Sequence, residues 1–303
     1  MTKVLPVVVG VDDSPGSDAA LSWAFAEARA RRAPLRVICA YQWVSTYLPT
    51  SEAGFADWPE SDSTRVRETA EKLVTTAVQR LALVPSGGDV EVSGEAIEDK
   101  PVAVLVDASA RAAVVVLGSR QLHAFGAVVL GSVGAGVAAR AACPVVVVRG
   151  PAADPADGPD ADGEVVVGVD GTDPAEAVLR FGFDHASRHH LVLRAVLCWQ
   201  PDPFVALTWQ AEPSSRAEAW LSETLAGWRA QYPDVVVHET VASDRAVAGL
   251  VTTSAAQHLL VVGSRTRHAL LGTLLGSVSQ GVLHHATCPV AVIPIPHDPA
   301  EGA

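Results

Sequence analysis

Two aspartates and two glycine-serine loops are the residues best placed to do chemistry. Asp12 closes an apolar run, VVVGVD, and Asp170 closes a second copy of it. Further along, Gly118-Ser119-Arg120-Gln121 leads to Gly131-Ser132, and Gly263-Ser264-Arg265-Thr266 leads to Gly276-Ser277. Glycine lets backbone amides approach an anion without an intervening side chain. A helix starting beside Ser132 or Ser277 would add the positive end of its dipole. Arg120 and Arg265 are candidate guanidinium contacts to phosphate. An aspartate at a strand end can accept a hydrogen bond from an adenine amino group or a sugar hydroxyl. Each residue also has a plainer role. Asp12 and Asp170 can cap the helix that follows, Ser132 and Ser277 can cap the last helix, and the arginines can face solvent. Residue type and spacing leave both roles open.

Neither loop carries the lysine of a P-loop, so a Walker-type NTPase does not follow. His123 and His268 repeat without a carboxylate at useful local spacing. Asp99, Asp107 and Asp244 have no Cys/His cluster around them. No catalytic residue and no metal site are therefore expected.

These residues recur because the chain is written twice. Asp12 and Asp170 are 158 residues apart, whereas the glycine-serine loops and the ACPVVVV and TCPVAVI runs are 145 apart. The second half thus has a connection shorter by thirteen residues. Between the halves lies PAADPADGPDADG, whose four aspartates and three prolines read as a linker. The expected division is a first domain at 1–150, a linker at 151–163 and a second domain at 164–303.

Each half alternates strand and helix signals. Near-continuous apolar runs at Val4–Val11, Leu35–Ala40, Ala113–Leu117 and Val145–Val148, with a weaker one at Val90–Ala96, predict five strands; the second half repeats them. The intervening segments show helical periodicity, as in Leu21, Ala24, Phe25 and Ala28. Strands apolar on both faces belong to parallel sheets covered by helices. The expected fold class is α/β, as two repeated open parallel-sheet domains. Ligands of such sheets bind at the carboxyl ends of the strands, where Asp12, Asp170 and both loops fall.

The chain has 303 residues and a formal charge of -12, which opposes nonspecific attraction to nucleic acid or an anionic membrane. Four widely spaced cysteines, each in or beside an apolar run, read as buried and reduced. The start MTKVLPVVVGVDDS has no signal-peptide pattern, and no apolar run reaches a membrane span. A soluble cytoplasmic protein is expected.

The chain resembles a tandem-domain universal stress protein over nearly all of both halves, through the VVVGVD starts, the glycine-serine loops and the CPV strands. The resemblance implies five-stranded domains of order 3-2-1-4-5 and ATP bound by the early aspartate and the glycine loop. The family pattern G-x2-G-x9-G-S/T matches at Gly118 and Gly131-Ser132, and at Gly263 and Gly276-Ser277. Gln121 and Thr266 stand where its second glycine belongs. If that position needs positive φ, Gln121 costs about 1 kcal/mol and β-branched Thr266 fits less readily. The implied function is a stress-response regulator that binds ATP, with Mg2+ on its phosphates, in one or both halves. A module without nucleotide, acting through its surfaces, is the alternative, and weak ATP hydrolysis is compatible with either loop. Association through the last strands is also implied, between the two halves or in a homodimer. Trp58 and Trp209 lie in long connections that can pack on the domain, close over a ligand or meet a partner.

Overall fold

A computed structural model describes residues 4–42, 60–84, 89–121, 128–129, 131–149, 163–170, 175–199, 213–265 and 275–295. Trp58, Trp209, His123, His268, Thr266 and residues 151–162 lie outside them.

In the first half, β1 (Val7–Gly10), β2 (Leu35–Tyr41), β3 (Val92–Glu98), β4 (Val114–Gly118) and a later strand, β7 (Val145–Val148), are ordered β3-β2-β1-β4-β7, all parallel. The helices between them are α1 (Pro15–Arg31), α2 (Glu60–Ala82), α3 (Pro101–Ser109) and α4 (Ser132–Ala138). The second half repeats the order with β8 (Glu164–Val169), β9 (Val192–Cys198), β10 (Val237–Ala242), β11 (Leu259–Arg265) and β12 (Val290–Ile295). Its helices are α5 (Ala175–His189), α6 (Pro213–Gln231), α7 (Ala246–Thr253) and α8 (Ser277–His285). A short antiparallel ladder, β5 (Arg120–Gln121) with β6 (Val128–Val129), follows β4.

Alternate strand residues feed two cores. Val7, Val9, Val114 and Val116 pack on one face of the sheet with Leu21, Phe25 and Leu81. Val8, Val115 and Val147 pack on the other with Leu105, Val137 and Leu283. That explains the unbroken valine runs. β3 is less apolar because it is an outer strand with Glu95 exposed. β10 is the opposite edge, and charged or polar residues on both discourage edge pairing.

The repeat extends to the end of the first helix of each half. Arg32 and His190 both take left-handed backbone, φ 51° and 56°. Ala33 then donates to the Ala28 carbonyl and Leu191 to that of Ala186, each at 2.9 Å. Those bonds satisfy carbonyls that the helix end would otherwise leave open.

The halves join through their last strands. β7 and β12 pair antiparallel, Val145 to Val292, Val146 to Ala291 and Val147 to Val290, making one ten-stranded sheet. Buried Arg149, just past β7, donates to the Leu283 carbonyl of the second half. Of the two modes of association open to the sequence, the internal one is present. No described helix is long and apolar enough to cross a membrane.

Candidate functional site

Strand order 3-2-1-4-5 sets β1 beside β4, and β8 beside β11. Asp12 therefore stands one strand away from Gly118, and Asp170 one strand away from Gly263. The two mouths differ.

In the second half, a cavity of about 140 Å³ opens at the carboxyl ends of the strands. Gly168, Asp170, Gly263 and Val278 line it, with Cys198 from β9 and Ala246 from α7. Val278 directly follows Ser277, the first residue of α8, so the helix N-terminus faces the same cavity as Asp170 and Gly263. Sites for whole ligands measure roughly 300–1,000 Å³. This cavity has room for part of a nucleotide, such as a base or sugar.

In the first half, the start of α1 packs directly on the end of β4. A Cβ built on Gly118 would lie 2.2 Å from the Gly16 carbonyl oxygen, and one on Gly16 would lie 2.3 Å from that of Ser119. Glycine at both positions permits this backbone contact. Asp12 turns toward the same corner. Its Oδ1 accepts from the Ser14 hydroxyl, from the Ser14 amide at 3.2 Å and from the Ser17 hydroxyl at 2.8 Å. Asp12 thus ties down the turn that enters α1, but it does not cap the helix: the N-cap is Ser14, with no side-chain cap bond.

Two expectations need correction. Ser132 and Ser277 are not N-caps. They are the first helical residues, exposed, and the caps are Gly131 and Gly276, which make no side-chain cap bond. The first amides of α4 and α8 consequently have no side-chain acceptor at the cap position. Positive φ is also not what Gln121 requires. Its backbone is extended in β5 and pairs with Val128, as Arg120 pairs with Val129. Arg265 ends β11, opposite Ile295.

Cys198, Ala246 and Val278 were missed as site residues. They are small or apolar groups in ordinary core runs, and only the meeting of strand and helix ends gives them a shared cavity. Burial, with Asp244 nearby, pushes the Cys198 thiol up from its usual range.

The sequence model of the Universal stress protein family matches residues 4–149 and again 163–294. A universal stress protein of Mycobacterium tuberculosis is 39% identical over 296 residues, covering 94% of this chain and 96% of its own. Another from that organism is 34% identical over 316 residues, covering 99% and 98%. Among solved structures, a universal stress protein of Archaeoglobus fulgidus superposes with a TM-score of 0.66 at 18% identity, covering 96% of this chain and 98% of its own. The chain belongs to the universal stress protein family, as a tandem of two of its domains. Two shorter solved members, matching about half of this chain with TM-scores of 0.35 and 0.33, are titled as complexes with cAMP and dAMP; those ligands belong to those proteins.

Proposed function

We propose that the protein is a stress-response regulator that binds ATP in its second half, at the mouth of β8 and β11. The observation that carries this reading is the shared cavity of Asp170, Gly263 and Val278. Asp170 is positioned to accept from the base or sugar. Phosphates would meet the backbone at Gly263 and the open amides of α8. Magnesium would ride on the phosphates, whose charge calls for it. The first half is organised instead around the Asp12–Ser14–Ser17 turn and the Gly16–Gly118 contact, with Arg120, Gln121 and Gly131 in its loop. It is the structural member of the pair, and this is the part of the alternative, nucleotide-free reading that a specific observation favours. Both halves act as one unit in the cytoplasm, with 151–163 as the linker, and without a dedicated catalytic role.

Titration calorimetry on nucleotide-free protein tests the reading. One ATP per chain is expected, with Kd near 1 μM, or about -8 kcal/mol. Asp170→Ala should abolish the heat and Asp12→Ala should leave it. Absence of binding up to millimolar ATP overturns the proposal, and two sites per chain overturn the assignment of the first half.

A further inference from the structure

Away from both mouths, the seam between α1 and α5 gathers a carboxylate and two imidazoles. Glu27 is 1% exposed, His185 0% and His189 13%. His185 and His189 are four residues apart on α5, which puts both rings on one helical face. Glu27 Oε2 lies 2.8 Å from His189 Nε2 and 3.1 Å from His185 Nδ1. One ligand atom from each of the three residues falls within 4.8 Å of the other two.

The surroundings orient these atoms. Arg31 Nε donates to Glu27 Oε1 at 2.5 Å, which leaves Oε2 turned toward the histidines. His185 Nε2 meets His258 Nε2 at 3.1 Å. With His185 as the donor of that bond, its inner nitrogen, Nδ1, is the lone-pair atom. That nitrogen is fully buried and lies 3.1 Å from Glu27 Oε2. Trp23 stacks on the His185 ring at 5.7 Å and 4°, and Phe181 at 6.2 Å and 10°, so the ring is held in place.

We propose that Glu27, His185 and His189 form a binding site for a zinc-class divalent transition metal, which links the two halves. Two imidazoles and one carboxylate are a zinc-type donor set, whereas calcium and magnesium call for oxygen ligands. Tetrahedral zinc with bonds of about 2.1 Å separates its ligand atoms by roughly 3.4 Å. To reach it, the contacts of 2.8 and 3.1 Å need to open by about 0.6 and 0.3 Å. Arg31 and His258 are the outer partners that fix the carboxylate and one imidazole. The three residues supply three donor atoms, and a fourth, from solvent, would complete the set. Glu27 comes from the first half and both histidines from the second, so neither half holds the site alone.

The test titrates chelator-stripped, full-length protein with Zn2+ by calorimetry and with Co2+ by visible absorption. One ion per chain is expected, with a Co2+ spectrum of a four-coordinate nitrogen and oxygen set. His189→Gln should weaken binding at least about tenfold. The double variant His284→Gln/His285→Gln, on the exposed end of α8, should leave it unchanged. No binding to the wild type means a metal-free carboxylate–imidazole cluster and overturns the proposal. So does binding that persists in His189→Gln or disappears in the α8 variant. Should His189→Gln fail to fold by circular dichroism, the wild-type Co2+ spectrum and the α8 variant still decide.

Discussion

Glu27 and His185 occupy equivalent positions in the two halves, yet they face each other across the seam with Oε2 3.1 Å from Nδ1. The 158-residue offset that relates Asp12 to Asp170 also relates Glu27 to His185, Arg31 to His189 and Trp23 to Phe181. Two copies of the first half, paired in this way, would set carboxylate against carboxylate. Two copies of the second would set imidazole against imidazole. The complementary pair arises only between unlike halves, so divergence at this position favours internal pairing over pairing of like halves. Exchange tests this. Glu27→His or His185→Glu alone should cost about 3 kcal/mol, the scale of an uncompensated buried charge. The double exchange should recover at least half of that. Denaturant unfolding with chelator present measures it without contribution from metal.

The glycines of the two loops should respond unequally. Gly118→Ala places a methyl 2.2 Å from the Gly16 carbonyl oxygen, a backbone atom that cannot rotate away. Gly263→Ala meets Ile295 Cδ1 at 2.5 Å, the end of a flexible side chain. Overpacking of the first kind should cost about 3 kcal/mol or prevent folding, and the second about 1 kcal/mol. Equal melting temperatures for the two variants would contradict the close backbone contact between Gly16 and Gly118.

The limits of sequence reading are physical. Valine runs buried on both faces announced a covered parallel sheet, and the duplicated landmarks announced two units. Strand order came only through the family resemblance, because periodicity says nothing about neighbours. Ser132 and Ser277 were displaced from their role by one residue, since glycine serves as the cap. Glu27 and Arg31, four residues apart on a helix, look like a solvated ion pair. Glu27 is buried, and Arg31 largely covered, because α5 of the other half lies over them. Burial created by pairing two similar halves leaves no local signature. The spacing of His185 and His189 was legible, but its meaning depended on that contact.

Ser277 and Ser132 separate ligand from fold. Neither side chain caps its helix, and both are exposed, so alanine at either should change stability by less than about 0.5 kcal/mol. Ser277→Ala should nevertheless weaken ATP about tenfold, the loss of one hydrogen bond to a charged group. Ser132→Ala should leave ATP affinity untouched. Calorimetry and thermal unfolding on the same samples check both. An equal loss of affinity in the two variants would place nucleotide in the first half as well.

Glu164 should set a small part of the acid limb of stability. Hydrogen bonding from Arg194, and then from His238, holds its carboxyl below the usual range against partial desolvation. A carboxylate lowered in the folded state stabilises above its unfolded pKa of about 4.3, and that contribution fades as pH falls through the folded value. Glu164→Gln should therefore be less stable than wild type near neutrality and converge with it in acid. The gap should be modest, because surface ion pairs contribute about 0–1 kcal/mol. Urea midpoints at several pH values report the trend. A gap that widened toward low pH would have the wrong sign.

Cys198 offers a chemical reading of the second mouth. It lines the cavity with Asp170 and Gly263 and is the only one of the four cysteines that is not fully buried. Burial raises its thiol above the ordinary range, and burial pushes Cys143 up to about 12. Thiolate is the reacting species, so alkylation near neutrality should be slow at every cysteine and least slow at Cys198. Raising the pH should speed Cys198 first. ATP filling the cavity would cover the sulfur, so saturating nucleotide should reduce its labelling rate several-fold while Cys39, Cys143 and Cys288 remain as inert as before. Mass spectrometry of labelled peptides resolves the four sites. Asp170→Ala should abolish the protection without altering the rate in the absence of nucleotide. Labelling of Cys198 that is indifferent to ATP, in protein shown by calorimetry to bind it, would move the nucleotide away from this mouth.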